Sequence, residues 1–153
     1  LYHVTCVVTL VRQLLTQLPE SLEPLVGTVT PYKDQKTHLR DELERLGYLH
    51  RVHVGTVHGF QSLERSIVIF DIVEGPPIKI GRFISDVWGD QEQDIASDAT
   101  RLIKVAHSRA RDKIIYVANL AYIQEAYYRR EHQLTKFVED AAARGYIPSR
   151  DLQ

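Results

Sequence analysis

The run Ile67-Val68-Ile69-Phe70 most narrows what this chain can become. A strand with one wet face alternates apolar and polar residues, whereas an unbroken apolar run is covered on both faces. The pattern predicts a strand over Ser66–Val73, central in a parallel sheet. Parallel neighbours need crossovers, usually helices, and the chain supplies them. Val4, Val7, Val8, Val11, Leu14, Leu15 and Leu18 recur at helical spacing, so residues 3–18 read as an amphipathic helix stopped by Pro19. An acidic loop bearing Pro19 and Pro24 leads into a short strand, Leu25–Thr30. Thr30 then reads as a helix N-cap, with Pro31 at the first helical position. That helix carries Leu39, Leu43 and Leu46 and closes at Gly47. Strands are expected at Arg51–Val57 and Lys113–Asn119, with helix over Ala99–Ser108 and from Leu120 to about Gly145. Alternating strands and helices predict a single α/β domain with a mainly parallel sheet flanked by helices, spanning residues 1–153.

Composition sets the outer limits. With 44% hydrophobic and 25% charged residues, the chain can bury a core and is neither a disordered tail nor a collagen-like repeat. No run of apolar residues reaches the length of a membrane span, and no secretory leader opens it. The lone Cys6 cannot form an internal disulfide, which favours a reducing setting, so the expected location is intracellular, in the cytoplasm. Cys6 lies on the apolar side of the first helix and reads as a small core residue. The chain has no methionine, so it reads as a piece of a longer protein with Leu1 at a cut end. A net charge of −1 argues against binding nucleic acid by bulk charge alone. The charge is uneven, however. Asp86, Asp90, Glu92, Asp94 and Asp98 crowd a stretch without Lys or Arg, and Arg101, Lys104, Arg109, Arg111 and Lys113 come next.

Three constellations carry chemistry. In the first, Thr28-Val29-Thr30-Pro31-Tyr32-Lys33-Asp34-Gln35, a strand delivers a polar turn and a helix N-terminus. That is a place where α/β sheets bind ligands, and also simply a well-capped helix. The second, Gly55-Thr56-Val57-His58-Gly59-Phe60-Gln61-Ser62-Leu63-Glu64-Arg65, gathers polar residues between two apolar strands. It suits a ligand-contacting loop or an ordinary surface loop. In the third, Arg101-Leu102-Ile103-Lys104-Val105-Ala106-His107-Ser108-Arg109-Ala110-Arg111, two arginines in the last turn of a helix are dipole partners or a phosphate clamp.

In this order the three resemble motifs IV, V and VI of superfamily 1 helicases, in the second of their two RecA-like motor domains. The match covers about residues 4–119 and is most similar to the group of RNA-surveillance helicases and Okazaki-fragment nuclease–helicases. The resemblance implies a RecA-like, P-loop NTPase-type fold and an ATP-dependent motor acting on single-stranded DNA or RNA. It places Arg109 as the arginine finger facing the γ-phosphate, Glu64 on the nucleotide ribose, and Gln61 in the same nucleotide-binding loop. Thr56 and His58 match positions touching the single-strand backbone, and Pro31 and Tyr32 belong to the adjoining surface. Arg111 matches a basic position with a structural role.

Some residues depart from the family pattern. Ser62 replaces the usual glycine, Leu102 and Lys104 replace Arg and Asn, and His3 stands where an acid is common. The chain lacks its own P-loop, Gly-x-x-x-x-Gly-Lys-Ser/Thr, and the Asp-Glu magnesium motif. ATP with Mg is therefore expected to be held mainly by a first RecA-like domain of the same parent chain, and no residue of this chain is assigned as a metal ligand. Alone, the chain is expected to bind ATP weakly without hydrolysing it. The competing reading is an ATPase-inactive RecA-like module for nucleic-acid binding or scaffolding. A hydrolase on an unrelated α/β fold lacks its Gly-x-Ser-x-Gly elbow. Trp88 reads as a packed loop anchor, and Tyr127-Tyr128-Arg129-Arg130 as a solvated helix face.

Overall fold

The apolar run at Ile67–Phe70 does occupy the middle of a parallel sheet. The computed structural model describes residues 2–60, 62–75, 98–126, 133–145, 147–148 and 151–152. The strands are β1 (Val26–Thr30), β2 (Val52–Thr56), β3 (Arg65–Asp71) and β4 (Ala110–Val117), in the order β2-β1-β3-β4. All pairings are parallel: Val29 is level with Gly55 and with Phe70, and Phe70 with Tyr116.

Helices cover both faces. On one, α1 (Tyr2–Gln17) and α2 (Lys33–Arg45) bury Val7, Val11, Leu39 and Leu43 against Val26, Val52 and Ile69. On the other, α3 (Asp98–Ser108), α4 (Leu120–Ala126) and α5 (Gln133–Arg144) bring Ile103, Ile123 and Val138 onto Val29, Val68 and Phe70. Successive residues of β3 thus serve opposite cores, which is why the run is apolar without alternation. This is the RecA-like α/β arrangement. Cys6 is buried in the α1 layer, where burial pushes its thiol above the ordinary value.

Gly47 closes α2 as expected. It follows the C-cap Leu46 at φ +75, its N–H donates to the Glu44 carbonyl, and the Tyr48 N–H donates to that of Leu43. Those two bonds define a Schellman motif, in which a left-handed glycine satisfies carbonyls orphaned by the helix end.

The start of α2 differs from the expected one. Its N-cap is Tyr32, with no side-chain cap, because Thr30 belongs to β1: it is level with Thr56, and its carbonyl accepts the Val57 N–H at 3.2 Å. Pro31 therefore makes the turn between strand and helix. The last strand begins at Ala110 rather than Lys113, so Arg109 is a single linking residue after α3 and Arg111 already lies in β4. Neither arginine is within the helix.

Among its described residues, the connection from β2 to β3 contains no α-helix. Residues 57–64 must run from the carboxyl end of β2 to the amino end of β3, passing β1. A short 3-10 turn, His58–Phe60, drops the Phe60 ring onto the sheet, where it is fully buried. Gly27 and Gly55 make its seat: a Cβ on either would come within 2.7 Å or 2.6 Å of that ring. His53 meets Phe60 edge-on, ring centroids 4.9 Å apart.

Candidate functional site

The parallel sheet has two chemically different ends, and the candidate residues divide between them. At the carboxyl end stand Pro31 and Tyr32 after β1, and Thr56 and His58 at the end of β2. Tyr32 is half-buried and its hydroxyl donates to Glu74 Oε1. Thr56 Oγ1 accepts the Gly59 N–H at 3.3 Å, which shapes the turn, and His58 is exposed beside it. The Tyr32 N–H reaches Thr30 Oγ1 at 3.4 Å, a hydroxyl-bonded turn that orients the strand exit.

Glu64, Arg109 and Arg111 gather at the amino end. The Arg65 N–H donates to the Arg109 carbonyl at 3.0 Å, tying the start of β3 to the link before β4. Arg111 Nε donates to Glu64 Oε2 at 3.1 Å. Both side chains are exposed, so the pair contributes little to stability and can be rearranged by a ligand. Arg109 is half-buried and folded back on its own helix. Its Nε donates to the Val105 carbonyl at 3.3 Å, and Nη2 donates to Ser108 Oγ at 2.9 Å. A guanidinium at a helix C-terminus is favourable on dipole grounds alone. Arg109 Nε also reaches Ser108 Oγ at 3.2 Å, so the guanidinium must give up several bonds to reach a phosphate.

Chemically, the amino end offers two guanidinium groups and a carboxylate, which suit a polyphosphate and ribose hydroxyls. The carboxyl end offers an aromatic ring, hydroxyls and an imidazole, which suit a strand with sugars and bases. Gln61, Trp88, the acids from Asp86 to Asp94 and Tyr127–Arg130 lie outside the described residues. Among the described residues no cluster of His, Cys, Asp or Glu could hold a metal ion, and no helix is long and apolar enough to cross a membrane.

Sequence reasoning missed a buried polar knot at the carboxyl end. Asp71, fully buried at the end of β3, accepts from His3 Nδ1 at 2.7 Å, from Gln35 Nε2 at 2.7 Å and from the Val73 N–H at 3.2 Å. It thereby joins the starts of α1 and α2 to the central strand. An acid at the end of an otherwise apolar strand was the available signal, since a buried carboxylate requires partners. Gly27 and Gly55 were missed as well, although glycine inside a strand marks a close approach.

Comparison with known proteins gives two findings. A family model described as AAA domain matches residues 2–121. "Helicase sen1" of Schizosaccharomyces pombe is 25% identical over 153 residues, covering 97% of this chain and 8% of that protein. The chain thus corresponds to a small part of the relative's length.

Proposed function

The chain belongs to the AAA domain family, as a superfamily 1 helicase-type C-terminal domain, and from that premise we propose that it is the second motor domain of an ATP-dependent helicase or translocase acting on single-stranded nucleic acid. The observation that carries this reading is the division of labour between the two ends of the sheet. Glu64 and Arg109, assigned to the nucleotide, share the amino end, while Pro31, Tyr32, Thr56 and His58, assigned to the strand, share the other. Eight residues of crossover, 57–64, run between the two sets.

ATP, with magnesium held by the first domain, supplies the free energy. When the cleft between the two RecA-like domains closes, Arg109 leaves Ser108 and the Val105 carbonyl and faces the γ-phosphate. There it balances charge developed during transfer, an effect worth roughly 10³–10⁵ in rate. Glu64 exchanges Arg111 for ribose hydroxyls, and Gln61 lies in the same loop. Tyr32 packs against the strand, while Thr56 and His58 touch its backbone, contacts that tolerate any sequence.

The test is ATP turnover by the full-length protein, with and without single-stranded DNA or RNA, against Arg109→Ala. Strand-stimulated turnover that falls by about 10³ or more in the variant is expected. The 153-residue chain alone should show none. Turnover by the isolated chain above a mock preparation, or wild-type turnover in Arg109→Ala, overturns the assignment.

A further inference from the structure

Two carboxylates at the carboxyl end of β3 belong to none of the three constellations: Asp71 and Glu74 are 0% and 3% exposed. Burial of this kind persists only where donors converge on the acid. Asp71 has such donors on three segments, and one of them shapes the chain beyond the strand. The bond from its Oδ1 to the N–H two residues on is an Asx turn, and it turns the chain out of β3. Val73 takes φ +66 there, a left-handed conformation that a β-branched residue rarely adopts. The turn delivers Glu74 beneath the Tyr32 hydroxyl, which donates to it. The hydrogen bond spans 42 residues of sequence and joins the exits of β1 and β3.

We propose that Glu74 is a positioning residue for single-strand binding, fixing the Tyr32 ring as a packing surface for a base or sugar. Asp71 builds the turn that presents it. This deepens the assignment of the strand-binding end and rests on Tyr32 being a strand contact. A phenol anchored at its hydroxyl has lost its freedom of rotation before the strand arrives, so binding does not have to supply that ordering.

The test measures binding of the full-length protein to fluorescently labelled oligo(dT) and oligo(U) by anisotropy. The variants are Tyr32→Ala, Tyr32→Phe, Glu74→Ala, Glu74→Gln and the double variant Tyr32→Phe with Glu74→Ala, with folding checked by melting temperature. Tyr32→Ala should weaken binding most. Tyr32→Phe and Glu74→Ala should each weaken it about 3- to 10-fold, the scale of one hydrogen bond, and the double variant no further than either. Glu74→Gln keeps an acceptor oxygen and should bind like wild type. If Tyr32→Ala weakens binding but Tyr32→Phe and Glu74→Ala do not, or if their losses add, the positioning role is overturned and the strand contact stands. Wild-type binding by Tyr32→Ala overturns both. Should Glu74→Ala fail to fold, Tyr32→Phe decides alone, and wild-type binding by it overturns the role.

Discussion

His53 lies in β2 with its ring edge-on to Phe60, partly withdrawn from water. Burial, with Arg65 and Lys36 nearby, holds its pKa below the ordinary 6.5. The unfolded chain therefore binds this proton more readily than the folded one. Stability from this residue is complete above pH 6.5 and is lost as pH falls through the depressed folded value. Thermal melting of wild type against His53→Gln, followed from about pH 7.5 to about pH 5, should show the glutamine variant losing less stability on acidification. Equal losses would mean that His53 is not the group responsible. Tyr116, whose hydroxyl lies 2.9 Å from His107 Nδ1, is pushed up to about 12 by burial, so that hydroxyl stays protonated over the same range. At this scale the sequence said little: whether a histidine or an acid is buried depends on neighbours brought in from elsewhere. His3 and Asp71 stand 68 positions apart, and no local pattern joins them.

Among the described elements, the β2–β3 crossover is unconventional, since an aromatic ring and two glycines do what a helix usually does. Gly55→Ala places a methyl carbon 2.6 Å from the Phe60 ring in a fully buried seat. The ring must shift, at a cost of about 1–3 kcal/mol, and chemical denaturation should report it. Combining Gly55→Ala with Phe60→Leu should recover part of the loss, whereas additive losses would place the strain elsewhere. The regular elements were largely legible because periodicity and end signals are local: α1, β1 and the Gly47 stop fall within about two residues of their expected bounds. The helix start at Thr30 and the strand start at Lys113 were misplaced for a shared reason. In both places pairing with a distant strand, Thr30 with Thr56 and Arg65 with Ala110, extended a strand into residues that look like a turn. The positions of the three constellations were likewise legible, but their division between two ends of the sheet emerged only from strand direction.

For the molecule as a whole, both cores share one sheet, so neither layer can melt without exposing the back of the other. Ile69 and Phe70 are neighbours buried in opposite cores. Ile69→Ala should cost about 2–5 kcal/mol and Phe70→Ala about 3–5 kcal/mol, and each should lower one shared transition seen alike by circular dichroism and tyrosine fluorescence. Separate transitions would mean that the layers unfold independently. On the proposed assignment, the same shared sheet is a stiff beam with the nucleotide residues at one end and the strand residues at the other. At about 3.3 Å per residue, a five-residue strand sets those ends about 17 Å apart. A beam of that length tilted by about 10° at one end sweeps the other through about 3 Å, close to the ~3.4 Å spacing of stacked nucleotides along a strand. If the two ends hold what is proposed, leverage alone, with no bending of the sheet, turns a small rotation at the nucleotide end into a step at the strand end.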